Sequence, residues 1–214
     1  MKSKLFVFLL VFQCFYVKAQ NKLSVGIDIN SQITALSLTF GAKNKNILMP
    51  GVGIGLLKSF KEDRVQLKSG LTYQLSTIEF DNVPHYILDN GEVYNVGTKD
   101  QVMKQNFISL PIAINYRVLG FNKFAFQVFG GTQLSYLYRT KYQINSSYNG
   151  ETEDVTQPNT LFPFVDAGLS FYFKPENRIQ LFFKPKFTYG FKQVSFSDQN
   201  NWLGLNLELY YNLR

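Results

Sequence analysis

Along residues 202–213 the side chains fall into two interleaved sets. Leu203, Leu205, Leu207, Leu209, Tyr211 and Leu213 are apolar, whereas Trp202, Gly204, Asn206, Glu208, Tyr210 and Asn212 form a more polar set. Strict alternation with a period of two predicts a strand with one apolar and one polar face. The run matches the roughly 9–11 residues that a tilted strand needs to cross a bilayer. Similar patterns recur upstream. Ile179–Phe191 alternates Ile, Leu, Phe, Pro, Phe, Tyr, Phe against Gln180, Phe182, Lys184, Lys186, Thr188 and Gly190. Val165–Phe173 alternates around Asp166, Gly168, Ser170 and Tyr172, and Ile108–Val118 around Ser109, Pro111, Ala113, Asn115 and Arg117. Val65–Leu75, Val52–Leu56 and Leu23–Ile29 behave alike, and Phe124–Tyr138 is a weaker case interrupted by Gly130, Gly131 and Thr132. These patterns predict eight strands, an even number as bacterial transmembrane barrels require.

The connections support the same reading. Lys61–Arg64, Leu119–Lys123 and Pro175–Arg178 are short charged turns, and longer polar segments lie near 31–49, 81–105, 139–160 and 192–200. Short turns at one end and long loops at the other are the asymmetry of an outer-membrane barrel, with both termini on the periplasmic side. The first long loop has an open boundary, because Ile33–Phe40 is apolar enough to extend the first strand. The predicted fold is therefore all-β, an eight-stranded antiparallel up-and-down transmembrane β-barrel. A soluble lipocalin-like barrel would turn its apolar set inward and leave an outer face with too few charges for a soluble surface. Aromatic residues at the strand ends predict two interfacial girdles. One comprises Tyr73, Tyr136, Tyr138, Phe162, Phe164, Tyr189 and Trp202, and the other Phe60, Tyr116, Phe124, Phe173 and Tyr211. Pro111 and Pro185 fall inside strands, where the missing donor predicts local bulges.

The first residues change the picture further. Lys2 and Lys4, the apolar run Leu5–Val17 and the sequence Val17-Lys18-Ala19 read as a cleaved export signal over 1–19, followed by the barrel domain over 20–214. Cys14 lies in that signal without a small residue before it, which argues against a lipid anchor, and the processed chain has no other cysteine. Disulfides and thiolate chemistry are thereby excluded. The charge of +7 falls to about +4 when Lys2, Lys4 and Lys18 leave. The remaining basic residues are scattered, so the pI near 9.3 does not indicate a nucleic-acid partner.

Phe107-Ile108-Ser109-Leu110-Pro111-Ile112-Ala113-Ile114-Asn115-Tyr116 resembles the leucine–x–isoleucine–proline–aliphatic run–tyrosine strand of the PorT-like outer-membrane β-barrel proteins of Bacteroidetes. Phe129–Leu137 resembles that family's next strand and Val165–Leu169 its sixth. The resemblance spans the chain after the signal and implies an integral outer-membrane location. Some family members resemble components of type IX secretion, and nothing in this chain selects that role. Many outer-membrane barrels end on an aromatic residue, whereas this chain ends Asn212-Leu213-Arg214.

Candidate chemistry is sparse. The inward-facing sets carry Asp28, Asp166 and Glu208 against Lys68, Arg117, Lys184 and Lys186. Unpaired charge inside an eight-stranded barrel is costly, so this balance predicts a salt-bridged structural lumen, with a gated pore as the functional alternative. His85 lies in Asp81-Asn82-Val83-Pro84-His85-Tyr86. It would centre a lipid A-modifying site if Ser146 or Ser147, with Asp81 or Asp89, stood beside it; no spacing supports that arrangement. Gly51-Val52-Gly53-Ile54-Gly55 lacks the Lys-Ser/Thr of a phosphate loop and instead makes room for lumen neighbours such as Phe182 or Tyr172. The expectation is a non-enzymatic monomer without cofactor or metal. Its expected partners are outer-membrane lipid, lipopolysaccharide and any protein met by the Tyr-rich external loops (Tyr86, Tyr94, Tyr142, Tyr148).

Overall fold

In the computed structural model the described residues are 22–35, 46–60, 63–89, 92–145, 151–155, 160–176, 178–191 and 201–213. Side chains at 34–35, 46–47, 79–101, 142–145 and 151–155 fall outside that description, as do the expected export signal with Cys14, the segment 192–200 expected as a loop, and Ser146 and Ser147. The elements are β1 Lys22–Ala35, β2 Asn46–Phe60, β3 Val65–Asp89, β4 Glu92–Phe121, β5 Phe124–Asn145, β6 Glu151–Val155, β7 Thr160–Phe173, β8 Ile179–Gly190 and β9 Asn201–Leu213. Antiparallel ladders join β1 to β2, β2 to β3, β3 to β4, β4 to β5, β5 to β7, β7 to β8, β8 to β9 and β9 back to β1. Eight strands thus close into a barrel without an edge, which lets backbone polar groups sit in hydrocarbon. The short β6 adds to the outer part of β5.

Alternation decides which way the wall faces. The set containing Ile27, Ile54, Leu71, Leu134, Leu169 and Leu207 is exposed on the outside, with Leu203 at 69% and Ile54 at 66% exposure. The set containing Asp28, Lys68, Gln74, Ser109, Gln127 and Glu208 is buried. An apolar exterior around a polar interior is the arrangement of a bilayer-spanning barrel and the reverse of a lipocalin.

Several expectations change in detail. The turn after β4 tightens to Asn122-Lys123, with Asn122 at φ 43°. That left-handed conformation suits asparagine and the twist of a two-residue hairpin. The segment expected as a loop over 81–105 is largely strand: β3 and β4 pair up to Asp89↔Glu92, with register shifts between Phe80 and Val83 and between Pro84 and Tyr86. Ladders β4–β5 and β5–β6 likewise pass into the expected third loop. Neither Pro111 nor Pro185, where bulges were expected, makes one. Register is continuous across Pro111 and Pro185, and each costs ladder pairs on one side, between Ser69↔Ile112 and Thr72↔Ser109 and between Gly168↔Lys186 and Phe171↔Phe183. The barrel's bulges lie instead at Arg117/Leu119 and at Asn106/Phe107.

The outer girdle also loses members. Tyr73, Tyr138 and Tyr189 point outward, but Phe162, Phe164 and Trp202 are only 3–5% exposed and lie inside the barrel. Their parity explains the correction: Phe162 and Phe164 share the face of Asp166, and Trp202 that of Glu208.

Candidate functional site

Among the described residues the lumen is the interior that the fold encloses, and its side chains fill it in layers. At the long-loop end Met49, Ile78, Met103, Phe107, Leu137, Phe162, Phe164 and Trp202 form an apolar cluster, with Phe164 and Trp202 rings 4.9 Å apart. Beneath it, Gln74 donates to Asn30 Oδ1 at 3.2 Å and accepts from Ser109 at 3.0 Å and from Gln133 at 2.9 Å. Toward the short turns, Leu57, Ala125, Tyr172, Phe182 and Tyr210 make a second apolar cluster. Amide and hydroxyl pairs continue beside it: Gln127 donates to Gln66 at 3.1 Å, Ser24 donates to Asn212 at 2.6 Å, and Gln180 donates to both Ser24 and Asn212.

The charges sit between the two clusters. Asp28 on β1 and Glu208 on β9 lie directly opposite each other in the ladder. Two carboxylates in that position repel, and Lys68 reaches from β3 to hold both, at 2.9 Å from Asp28 Oδ2 and 2.8 Å from Glu208 Oε1. Lys184 binds the other Glu208 oxygen at 3.0 Å and donates to Asn115 at 3.2 Å. Its ammonium also lies 5.0 Å from the Phe182 ring and 5.3 Å from that of Phe129, within cation–π range. Lys186 pairs with Asp166 at 3.3 Å, and Thr188 donates to the same carboxylate at 2.6 Å. Three ammonium groups face three carboxylates, so charge is balanced where desolvation is severe. Arg117 is the exception among the residues expected here: it is half-buried at the short-turn end, with its side chain against Gly120, and is not part of this network among the described residues.

Sequence reasoning missed Tyr210 as the occupant of the glycine-lined wall. Gly26, Gly55 and Gly70 stand side by side in register across β1, β2 and β3, with Tyr210 next in the row on β9. A Cβ on Gly26 would meet the Tyr210 ring and one on Gly55 its hydroxyl. The Tyr210 side chain therefore lies over Gly26 and Gly55, and its hydroxyl donates to Asp28 at 3.2 Å. Phe182 and Tyr172 occupy neighbouring lumen space, in contact with Tyr210 and with each other respectively. The period-two pattern put Tyr210 on the inner face, which was the available signal.

This arrangement can lock strands together; it offers little room for transport. A cavity of about 30 Å³ lies in the ionic layer, bounded by Asp28, Lys68, Lys184, Lys186, Asn206 and Glu208 among others. That volume is on the scale of one or two water molecules. Among the described residues no group of three His, Cys, Asp or Glu side chains is placed to hold a metal. The backbone of His85 lies within β3 rather than in a loop, as do those of Asp81 and Asp89. Their side chains are not described.

Fold and lumen together define a transmembrane β-barrel of the outer-membrane kind, with a polar interior filled by the described side chains. No protein-family model matches the chain, and no curated protein sequence matches it. Among solved structures the chain is similar to Ail, the attachment invasion locus protein of Yersinia pestis, in complex with the heparin analogue sucrose octasulfate. That match has 12% identity and a TM-score of 0.43 and covers 90% of this chain and 97% of that one. It is also similar to Neisserial surface protein A, at 11% identity and a TM-score of 0.42, covering 91% and 98%. A major outer membrane protein from Thermus thermophilus matches at 8% identity and a TM-score of 0.46, covering 88% and 99%. Resemblance at this level leaves the role to be argued from the chain's own residues.

Proposed function

We propose that the protein is an integral outer-membrane barrel of the PorT-like kind, with a non-enzymatic structural or interaction role exercised outside the membrane. The observation that carries this reading is a contrast between the two parts of the molecule. The lumen is filled from end to end, whereas β3 and β4 stay paired for about a dozen residues past Thr77, the last β3 residue that pairs with β2. At about 3.3 Å per residue that extension is on the order of 40 Å long. With the outer parts of β5 and β6 it forms a sheet beyond the wall, in the order β3-β4-β5-β6. Paired projections of this kind suit contact with other macromolecules, including the components of a secretion machine. The resemblance of Phe107–Tyr116 to the PorT-like strand supports the family reading. The first residue of β1, Lys22, and the last of β9, Leu213, lie with the short turns on the periplasmic side.

A channel and a lipid A-modifying enzyme are the competing readings. Purified protein in planar bilayers is expected to show no stepwise conductance, and His85→Ala is expected to leave lipid A composition unchanged in the producing cell. Regular conductance steps would favour the channel, and altered acylation in the variant would favour the enzyme.

A further inference from the structure

The bulge near the outer end of β5 does more than bend a strand. Up to Leu137 the odd-numbered residues of β5 face the lumen, as the burial of Gln127, Phe129, Gln133, Ser135 and Leu137 shows. Continued in that phase, Arg139 and Lys141 would point into the barrel. The ladder instead pairs Phe107 with Leu137 and the adjacent Asn106 with Arg139, leaving Tyr138 as the extra residue. Tyr138 and Arg139 are both exposed, Thr140 turns inward and the half-buried Lys141 outward. A one-residue bulge has thus re-aimed two cations from the lumen to the membrane-facing wall, a known use of such bulges.

There they join a third. Lys104 on β4 is exposed and lies directly opposite Lys141. Like charges in that cross-strand position repel. On the far side of Lys141, the β6 backbone places Asp154 in register. One step nearer the bilayer is an outward-facing tyrosine level: Tyr73 is opposite Ile108 and Ile108 opposite Tyr136, with Tyr138 beside them. Tyr73 donates to Asn106 at 2.6 Å, fixing the polar edge of the apolar band. Tyrosines of this kind sit at the level of lipid headgroups, so the Lys104–Arg139–Lys141 patch lies just beyond them, where headgroup phosphates are found.

We infer that Lys104, Arg139 and Lys141 form a binding site for the phosphate groups of a membrane lipid on the outer rim of the β4–β5 wall. The inference rests on the membrane placement proposed above. Arginine supplies a planar donor fork for phosphate oxygens, and the two lysines supply point charges beside it.

Native mass spectrometry of the folded barrel in neutral detergent tests this with three probes: diphosphorylated lipid A, the same lipid stripped of its phosphates, and inorganic phosphate. The expected result is binding of the phosphorylated lipid on the order of tenfold or more above the stripped form. Lys104→Gln/Arg139→Gln/Lys141→Gln should abolish that preference, and Lys123→Gln at the opposite rim should preserve it. Equal binding of the two lipids, or a preference retained by the triple variant, overturns the inference. Displacement of the lipid by an equal concentration of inorganic phosphate would overturn it too, assigning a free-anion site instead. Heat-dependent gel mobility of each variant reports folding separately, with Arg139→Gln alone as the substitute should the triple variant not fold. Wild-type protein that shows no heat shift and resides in the soluble periplasm would remove the membrane placement itself, and the lipid site with it.

Discussion

Glu208 is the residue on which the lumen charges depend most, because its two oxygens receive different lysines. Glu208→Gln would leave Lys68 with Asp28 as its ion partner and Lys184 without its carboxylate. Breaking a buried pair in this way costs about 3–5 kcal/mol. The expected outcome is a matching fall in unfolding free energy by urea titration in lipid vesicles, partly restored by adding Lys184→Met. A fall below about 1 kcal/mol would show that the pair contributes little beyond an exposed one. Tyr210 supplies a second test at this scale. Gly55→Ala forces its hydroxyl away from Asp28, and overpacking of this kind costs about 1–3 kcal/mol. In a Tyr210→Phe background the same substitution should cost much less, which a double-mutant cycle measures directly. These inner residues were partly legible in the sequence. Alternation placed Asp28, Lys68, Asp166, Lys184, Lys186 and Glu208 on one face, but no local pattern states which lysine meets which acid. That depends on register across strands that are distant in sequence. The phase of Arg139 and Lys141 was illegible for a related reason: a single extra residue reverses every side chain beyond it.

At the level of elements, strands in the bilayer announce themselves because one face meets lipid and the other a packed interior. The outer halves of β3 and β4 carry no such contrast, and their polar composition reads as loop even though the backbone stays paired to Asp89↔Glu92. Likewise Phe162, Phe164 and Trp202 read as girdle by residue type, when their parity puts them inside. Two predictions belong here. Shortening the hairpin by joining Glu79 to Val102 through a two-residue turn removes pairs that do not close the barrel. The shortened protein should keep a heat-dependent gel shift, and loss of the shift would mean that the extension is needed for folding. At the β4–β5 turn, Asn122→Val places a β-branched residue at φ 43°. The expected cost is about 1–2 kcal/mol in unfolding free energy, with Asn122→Gly near neutral.

For the whole molecule, closure, an apolar exterior and a neutral polar interior are three aspects of one solution. The bilayer demands that every backbone group be paired, and eight strands leave an interior that side chains can fill. Apolar clusters at both ends of the lumen with ion pairs between them support the proposed role, in which the barrel is a scaffold for what lies outside it. All of this requires that the leucine-rich face meet lipid. Electrophoresis of the outer-membrane fraction, with and without boiling, tests this most directly. The expected result is a folded form that resists detergent and changes mobility only after heating. Recovery of the protein in the soluble periplasm, with identical mobility before and after boiling, would contradict it.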